Sequence, residues 1–290
     1  MVNILTVDVE DYFQVENFKK VVKFSEWEKY ESRVEKNTEK ILEILAEKNV
    51  KATFFVVGWI AERFPHLIKR IHNEGHKIAS HTYKHQLIYT QTPQEFRSDL
   101  RKSKIILEDI IQEKILGFRA PSYSITKNSL WALEILMEEG FSYDSSIFPI
   151  YHDRGGLPFA ERFPFKIYNH KYYIWEFPIS TFKILNQNIP FSGGGYLRFF
   201  PYRVISWMIK RLNQKNRPAI VYIHPWELDP YQPKIKVNFL CKVRHYYNLE
   251  KTEKKLRKLL DDFKFVSVED FINLGIKTKK LKLKDLYKYE

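Results

Sequence analysis

The stretch Gly75-His76-Lys77-Ile78-Ala79-Ser80-His81-Thr82-Tyr83-Lys84-His85 reads as a turn, a short strand and then two histidines four apart. At that spacing the pair falls on one face of a helical turn, within reach of a single metal ion. A polar pair directly after a strand is also where α/β barrels and open α/β sheets place their sites, at the carboxyl ends of the strands. Alone, the spacing carries little, because nine histidines in 290 residues produce such pairs on a solvated surface. Its weight comes from partners elsewhere in the chain.

Working outward, the same strand-then-helix rhythm recurs on both sides. Val2 to Val9 is a β-rich run that ends in Asp8, Glu10 and Asp11, and residues 32–48 carry a helical apolar stripe of Val34, Ile41, Leu42 and Leu45. A second strand, 52–57, is followed by a helix over 61–74 that stops at Gly75. Beyond His85, Thr92-Pro93-Gln94-Glu95 has an N-cap, a proline at the first helical position and a capping-box glutamate, opening a long helix. Residues 116–119 and 141–144 read as further strands, with a helix between them capped by Thr126. Such alternation is the signature of parallel βα units.

The rhythm breaks over about 145–200, which is rich in aromatics, Pro and Gly, as in Asp153-Arg-Gly-Gly-Leu-Pro158 and Ser192-Gly-Gly-Gly-Tyr196. It reads as an irregular, partly β insertion across the site. Alternation resumes with a helix over 201–213, a strand over 219–224, a helix over 250–262, a last strand over 263–266 and a short helix capped by Ser267. The expected fold is α/β, a distorted and incomplete (β/α) barrel. Residues 1–275 form one catalytic domain with that insertion, and 276–290, with six Lys against two acids, form a solvated basic tail.

Composition narrows the function classes. A single cysteine, Cys241, excludes an internal disulfide framework and a cysteine-rich zinc site. The net charge of +13 permits anionic partners. Much of the excess is local to the tail, however, and no nucleic-acid recognition motif accompanies it. Nucleic acid is therefore not expected as a partner, whereas the tail suits peripheral contact with a membrane surface. The N-terminus lacks a basic n-region, and the longest near-apolar run, 52–61, is too short to span a bilayer. A cytoplasmic location is expected, peripheral at the inner face of the membrane.

Four strand ends carry polar groups that belong together chemically: Asp8 to Asp11, His81 with His85, Arg119, and His224. If the strands are parallel, all four converge on one face. Two His and one carboxylate complete a catalytic zinc site with a position left for water. A separate carboxylate can take that water's proton and a further His can protonate a leaving group. Asp8 and Glu10, two apart, point to the same side of a strand.

At this point the residues resemble a known family. Leu5-Thr-Val-Asp-Val-Glu-Asp11, His81-Thr-Tyr-Lys-His85, Arg119-Ala-Pro-Ser-Tyr123 and Ile223-His224 are similar, in order, to the motifs of the polysaccharide deacetylases of the NodB-homology type, carbohydrate esterase family 4. Val7-Asp-Val-Glu-Asp-Tyr-Phe-Gln-Val15, Tyr143-Asp-Ser-Ser-Ile-Phe-Pro149 and the Gly-Gly-Gly-Tyr196 loop look like a subfamily associated with exopolysaccharide gene clusters. The resemblance implies a seven-stranded NodB-type barrel and a hydrolase that removes acetyl from N-acetyl-hexosamine units of a polysaccharide or its lipid-linked precursor. It further implies one divalent ion, zinc by preference, held by His81 and His85. Asp8 would be the general base, oriented by Arg119. The backbone N–H of Tyr123 would serve the oxyanion, and His224 would protonate the departing amine.

Two departures from the family pattern matter. The first motif lacks adjacent aspartates, so the third ligand is Glu10, with Asp11 the alternative. The fourth is altered to Tyr143-Asp-Ser-Ser146, which leaves open whether Asp144 or Asp229 orients His224. Glu227 and Asp229 read as groups that support the site from behind. Trp175, Tyr196 and Trp226 could stack on sugar rings or simply pack. Rival functions are a related hydrolase of a small amide, a non-catalytic glycan-binding module of the same fold, and, on charge alone, a nucleic-acid binder.

Overall fold

A computed structural model describes residues 1–170 and 172–288. The twelve strands are β1 (Asn3–Val9), β2 (Thr53–Val56), β3 (Lys77–Ser80), β4 (Gly117–Phe118), β5 (Tyr143–Asp144), β6 (Phe165–Asn169), β7 (Tyr172–Glu176), β8 (Thr181–Ile184), β9 (Gln187–Pro190), β10 (Ile220–Ile223), β11 (Phe265–Val266) and β12 (Lys279–Lys282). The helices are α1 (Val34–Glu47), α2 (Gly58–Arg63), α3 (Pro65–Asn73), α4 (Pro93–Ile111), α5 (Trp131–Glu138), α6 (Gly194–Phe199), α7 (Tyr202–Gln214), α8 (Phe239–Tyr246), α9 (Thr252–Asp262), α10 (Val268–Asn273) and α11 (Leu283–Leu286).

Ten strands form one sheet in the order β10-β1-β2-β3-β4-β5-β7-β6-β12, with β11 also paired to β1. Every pairing in it is parallel except β6 with β7. Among the described residues the hydrogen-bonded path does not close, in keeping with an incomplete barrel. β1 is buried along its whole length because it is flanked on both edges, Val7 standing opposite Phe54 and Ile223. That explains its near-continuous apolar run, which a strand with one wet face would not carry.

The helices cover this sheet with the faces their patterns predict. In α1 the buried residues include Val34, Ile41, Leu42 and Leu45. α4 opens with the capping box, Thr92 accepting from the Glu95 N–H and Glu95 accepting from the Thr92 N–H. The single helix expected over 61–74 is two, α2 and α3, with the break at Phe64-Pro65. Pro65 has no N–H to continue the first helix but suits the first turn of the second.

Two regions depart from expectation. Within the insertion, β6 and β7 form a hairpin that joins the main sheet through β5, while β8 and β9 make a separate two-stranded sheet. The stretch read as a solvated tail instead contributes β12, paired in parallel with β6, and α11, whose Leu283 and Leu286 are buried. The lysine count hid this: β12 is an edge strand with outward lysines, and Leu281 and Leu283 do the packing. Tyr289 and Glu290 lie outside the described residues. No helix among the described residues is long and apolar enough to cross a membrane.

Candidate active site

The carboxyl ends of β1, β3, β4 and β10 deliver their polar residues to one cleft of about 740 Å3, lined by Asp8, Glu10, His81, His85, Tyr123 and His224 among others. Parallel register does this: Val7 and Ile223 are level, so Asp8 and His224 leave adjacent strands at the same height.

Glu10, His81 and His85 are buried, and one ligand atom from each lies within 4.8 Å of the others. His81 Nδ1 is 2.7 Å from the carbonyl oxygen of Arg119. Only a protonated Nδ1 can make that bond, which leaves the Nε2 lone pair for a cation. Burial pushes the His81 imidazole down to about 4, so it is neutral. Burial alone would raise the Glu10 carboxyl, but the imidazoles of His85, His224 and His81 outweigh it and hold it down at about 2. Glu10 Oε2 sits 2.8 Å from His85 Nε2, yet among the described residues neither this buried oxygen nor His85 Nδ1 has a well-aligned hydrogen-bond partner. A buried carboxylate oxygen left over beside two imidazoles is what a divalent cation satisfies, so the residues present fit one.

The local route to this triad differs from the expected one. His81 to His85 is not helical; Thr82 and His85 have φ of 62° and 50°, and the His85 N–H donates to Thr82 Oγ1 at 3.0 Å. The two rings meet because the loop folds back, with centroids 5.0 Å apart. Glu10 likewise lies beyond the end of β1, where its N–H donates to the Asp8 carbonyl at 3.0 Å in a tight turn. Strand alternation is therefore not what brings it beside Asp8. Asp11 turns away: its Oδ2 accepts from the Ser32 hydroxyl at 2.7 Å, from Arg33 N at 2.9 Å and from Val34 N at 3.2 Å. It caps α1 and stands outside the triad.

Asp8 Oδ1 is 2.5 Å from Arg119 Nη1. Arg119 is wholly buried and spends its other donors on Thr6 Oγ1, Ser145 Oγ and the Ser145 carbonyl, at 2.8, 2.7 and 3.0 Å. Asp8 is thereby fixed, with Oδ2 turned toward His224 Nε2 at 3.9 Å. The Tyr123 N–H, expected to serve an oxyanion, donates to the Ala120 carbonyl at 3.1 Å. It would have to share or leave that bond to act on a substrate. Ser122 and Tyr123 both have positive φ, 51° and 55°, which turns this loop into the cleft.

Neither Asp144 nor Asp229 orients His224. Asp229 pairs with Arg33 at 2.5 Å, and Asp144 accepts from the Ser146 hydroxyl and stands level with Glu176, its register partner across β5 and β7. The partner is Glu227, whose Oε2 is 3.0 Å from His224 Nδ1. Its Oε1 accepts from Arg198 Nε at 2.7 Å, and Arg198 is itself anchored on the carbonyls of Arg244, His245 and Tyr247. Burial would push the His224 imidazole down, but Glu10 and the hydrogen bond and charge of Glu227 prevail and raise it to about 9. Glu227, three residues after His224, is one of the two acids expected to support the site from behind; Arg198 had no signal in the sequence.

Trp226 also has a part that sequence reasoning missed. Its ring is stacked between His224 and His245, at centroid distances of 5.1 and 4.2 Å, and its Nε1–H donates to Glu10 Oε1 at 3.3 Å. With both faces covered it offers no sugar platform. Trp175 is buried too, whereas Tyr196 lines the cleft.

Residues 27–137 match the polysaccharide deacetylase family, and residues 145–273 match a domain of unknown function, DUF3473. The first stretch holds His81, His85 and Arg119 and the second holds Arg198, His224 and Glu227, so the cleft is built from both. Over 98 residues, 33% of this chain, the sequence is 43% identical to a peptidoglycan-N-acetylglucosamine deacetylase of Bacillus cereus. The matched stretches span only 36%, 39% and 32% of three such curated relatives. In fold the chain is similar to a Mycobacterium smegmatis protein assigned to the polysaccharide deacetylases, with TM-score 0.63, 19% identity and coverage of 96% of this chain and 92% of that one. The peptidoglycan deacetylase PdaC of Bacillus subtilis is similar at TM-score 0.51 and 14% identity, over 94% and 91% of the two chains.

Proposed function

We propose that this chain is a polysaccharide deacetylase of the NodB-homology type, a divalent-metal-dependent hydrolase acting on N-acetyl-hexosamine units. Its substrate is a polysaccharide or the lipid-linked precursor of one, in the setting of exopolysaccharide synthesis. The observation that carries this reading is the meeting, in one cleft, of the Glu10–His81–His85 triad, the Asp8–Arg119 pair and the His224–Glu227 pair.

The residues divide the work of amide hydrolysis. Glu10, His81 and His85 would hold the cation, zinc by preference, which when bound would polarise the acetyl carbonyl and acidify water. Asp8, kept in place by Arg119, takes the proton of the attacking water. His224 donates a proton to the nitrogen as the C–N bond breaks; without that proton the amine is a poor leaving group and the addition reverses. Glu227 and Arg198 hold the imidazole with Nε2 facing the cleft. Tyr196 and Tyr123 line the space where a sugar ring would lie.

Acetate release from N-acetylglucosamine oligomers and from lipid-linked N-acetylated sugars, with and without chelator, tests the reading. Release that stops with chelator and returns on adding zinc is expected. Tight glycan binding by the zinc-loaded chain with no acetate released would replace the enzyme with a glycan-binding module.

A further inference from the structure

Between Asp229 and Glu250 the chain contains no acid, yet it carries Lys234, Lys236, Lys242 and Arg244. This segment includes α8 and borders the cleft, which Leu240, Val243 and Arg244 help to line. Its outer side is apolar to an unusual degree: Tyr231, Phe239 and Leu240 are 86%, 80% and 59% exposed. Ile235 and Val237 pack against the core, so the alternating Lys234 and Lys236 are turned outward with them. Arg244 is paired with Asp153 at 2.9 Å, but among the described residues no acid lies within salt-bridge distance of Lys234, Lys236 or Lys242.

Single exposed apolar residues are ordinary. Adjacent ones in a segment that also carries exposed lysines with no acid within salt-bridge distance, among the described residues, are not, and the combination limits the occupant. A soluble polyanion would satisfy the lysines and leave Phe239 and Leu240 in water. A second copy docking through the same face would set like charges against each other with no acid to relieve them. An anionic phospholipid surface meets both requirements, since it offers an apolar layer beneath a negative one.

We propose that residues 231–247 form a membrane-docking face that seats the rim of the cleft on an anionic bilayer. Phe239 and Leu240 enter the headgroup boundary, and Lys234, Lys236 and Lys242 lie against the anionic headgroups. Leu240 belongs to both surfaces, so docking brings the cleft mouth to the bilayer plane, where a lipid-anchored substrate would be presented. The face is distinct from the lysines of β12, which belong to a strand at the edge of the sheet. It also stands apart from the hydrolase reading, because lipid binding needs neither the cation nor a substrate.

Flotation of the full chain with vesicles of phosphatidylcholine, alone or with phosphatidylglycerol, tests the proposal. Binding is expected only with phosphatidylglycerol and should weaken with salt. Replacing Lys234, Lys236 and Lys242 together by Gln should lower partitioning about 100-fold, at about fivefold per lysine. Phe239→Ser with Leu240→Ser should abolish the binding that survives at high salt. Ile105→Ser, which alters a 57% exposed residue of α4, should change nothing. Thermal melts matched to wild type establish that the variants fold. The proposal is overturned by equal binding to neutral vesicles, by partitioning that the 239/240 pair leaves intact, or by loss on Lys280→Gln with Lys282→Gln instead.

Discussion

Glu227 bridges two buried groups: one carboxylate oxygen lies 3.0 Å from His224 Nδ1, and the other accepts from Arg198 Nε at 2.7 Å. The imidazole is thus held with its second nitrogen 3.3 Å from Glu10 Oε1, at the centre of the cleft. Burial would keep His224 neutral; the two carboxylates raise it to about 9. A cation bound to Glu10 would cancel much of that carboxylate's pull and would leave Glu227 as the main group raising His224.

Glu227→Gln should therefore lower kcat by about 10–100-fold with KM little changed. The alkaline limb of the kcat/KM profile should move to lower pH, because the folded-state value of His224 falls when the negative neighbour is removed. An alkaline limb in the same place would reduce Glu227 to a packing role.

The cation should depend on Glu10, His81 and His85 and not on Asp11. Elemental analysis of His81→Ala and Glu10→Gln is expected to show loss of bound metal. Asp11→Asn should keep it and instead lower the stability of α1's start by about 1 kcal/mol, the usual effect of weakening an N-cap. Metal loss in Asp11→Asn would return that residue to the ligand set.

Asp8→Asn and His224→Ala should both retain metal while turnover falls by roughly 10²–10⁴-fold, the range for loss of a general base or acid. The two measurements belong on the same preparation. Wild-type turnover in either variant removes that residue from the chemistry.

Asp144 and Glu176 face each other, among the described residues with no cation bonded to either carboxylate, and burial raises both carboxyls, Glu176 well above its ordinary value. The folded chain therefore holds a proton that the unfolded chain releases near the usual carboxyl values of about 4. The stability this contributes is complete below those values and is lost as pH rises toward the folded ones, by about 1.4 kcal/mol per unit over that interval. Thermal melts between pH 5 and 8 should show wild type losing stability with rising pH. Glu176→Gln, which removes one carboxyl and keeps its shape, should flatten that slope. An unchanged slope would mean that the pair is not the source.

Much of the frame was readable from the sequence because local rules and tertiary demands coincide there. The Thr92–Glu95 capping box, the apolar run of β1 and the strand ahead of His81 are each set by a few neighbouring residues. The groups of the site were legible as residue types in order. Their geometry was not, since it rests on loop turns: positive φ at Thr82 and His85, and the turn that carries Glu10 past the end of β1. The role of Arg198 and that of Trp226 as a donor to Glu10 were hidden for a related reason. Their partners, Glu227 and Glu10, are 29 and 216 residues away, and nothing local marks such a contact. The C-terminal lysines misled because charge was taken for solvation, while the parallel match of Leu281 to Ile167 can be seen only once β6 is in place.

The position of β1 between β2 and β10 has a consequence for synthesis of the chain. During synthesis β1 acquires one neighbour early, from residue 53, but the other waits for residues 220–223. At ~5–20 residues per second, β1 spends roughly 10–40 s with a hydrogen-bonding edge open. Its Ile4, Leu5, Val7 and Val9 are apolar, so for that interval the nascent protein carries an adhesive edge that β10 later covers.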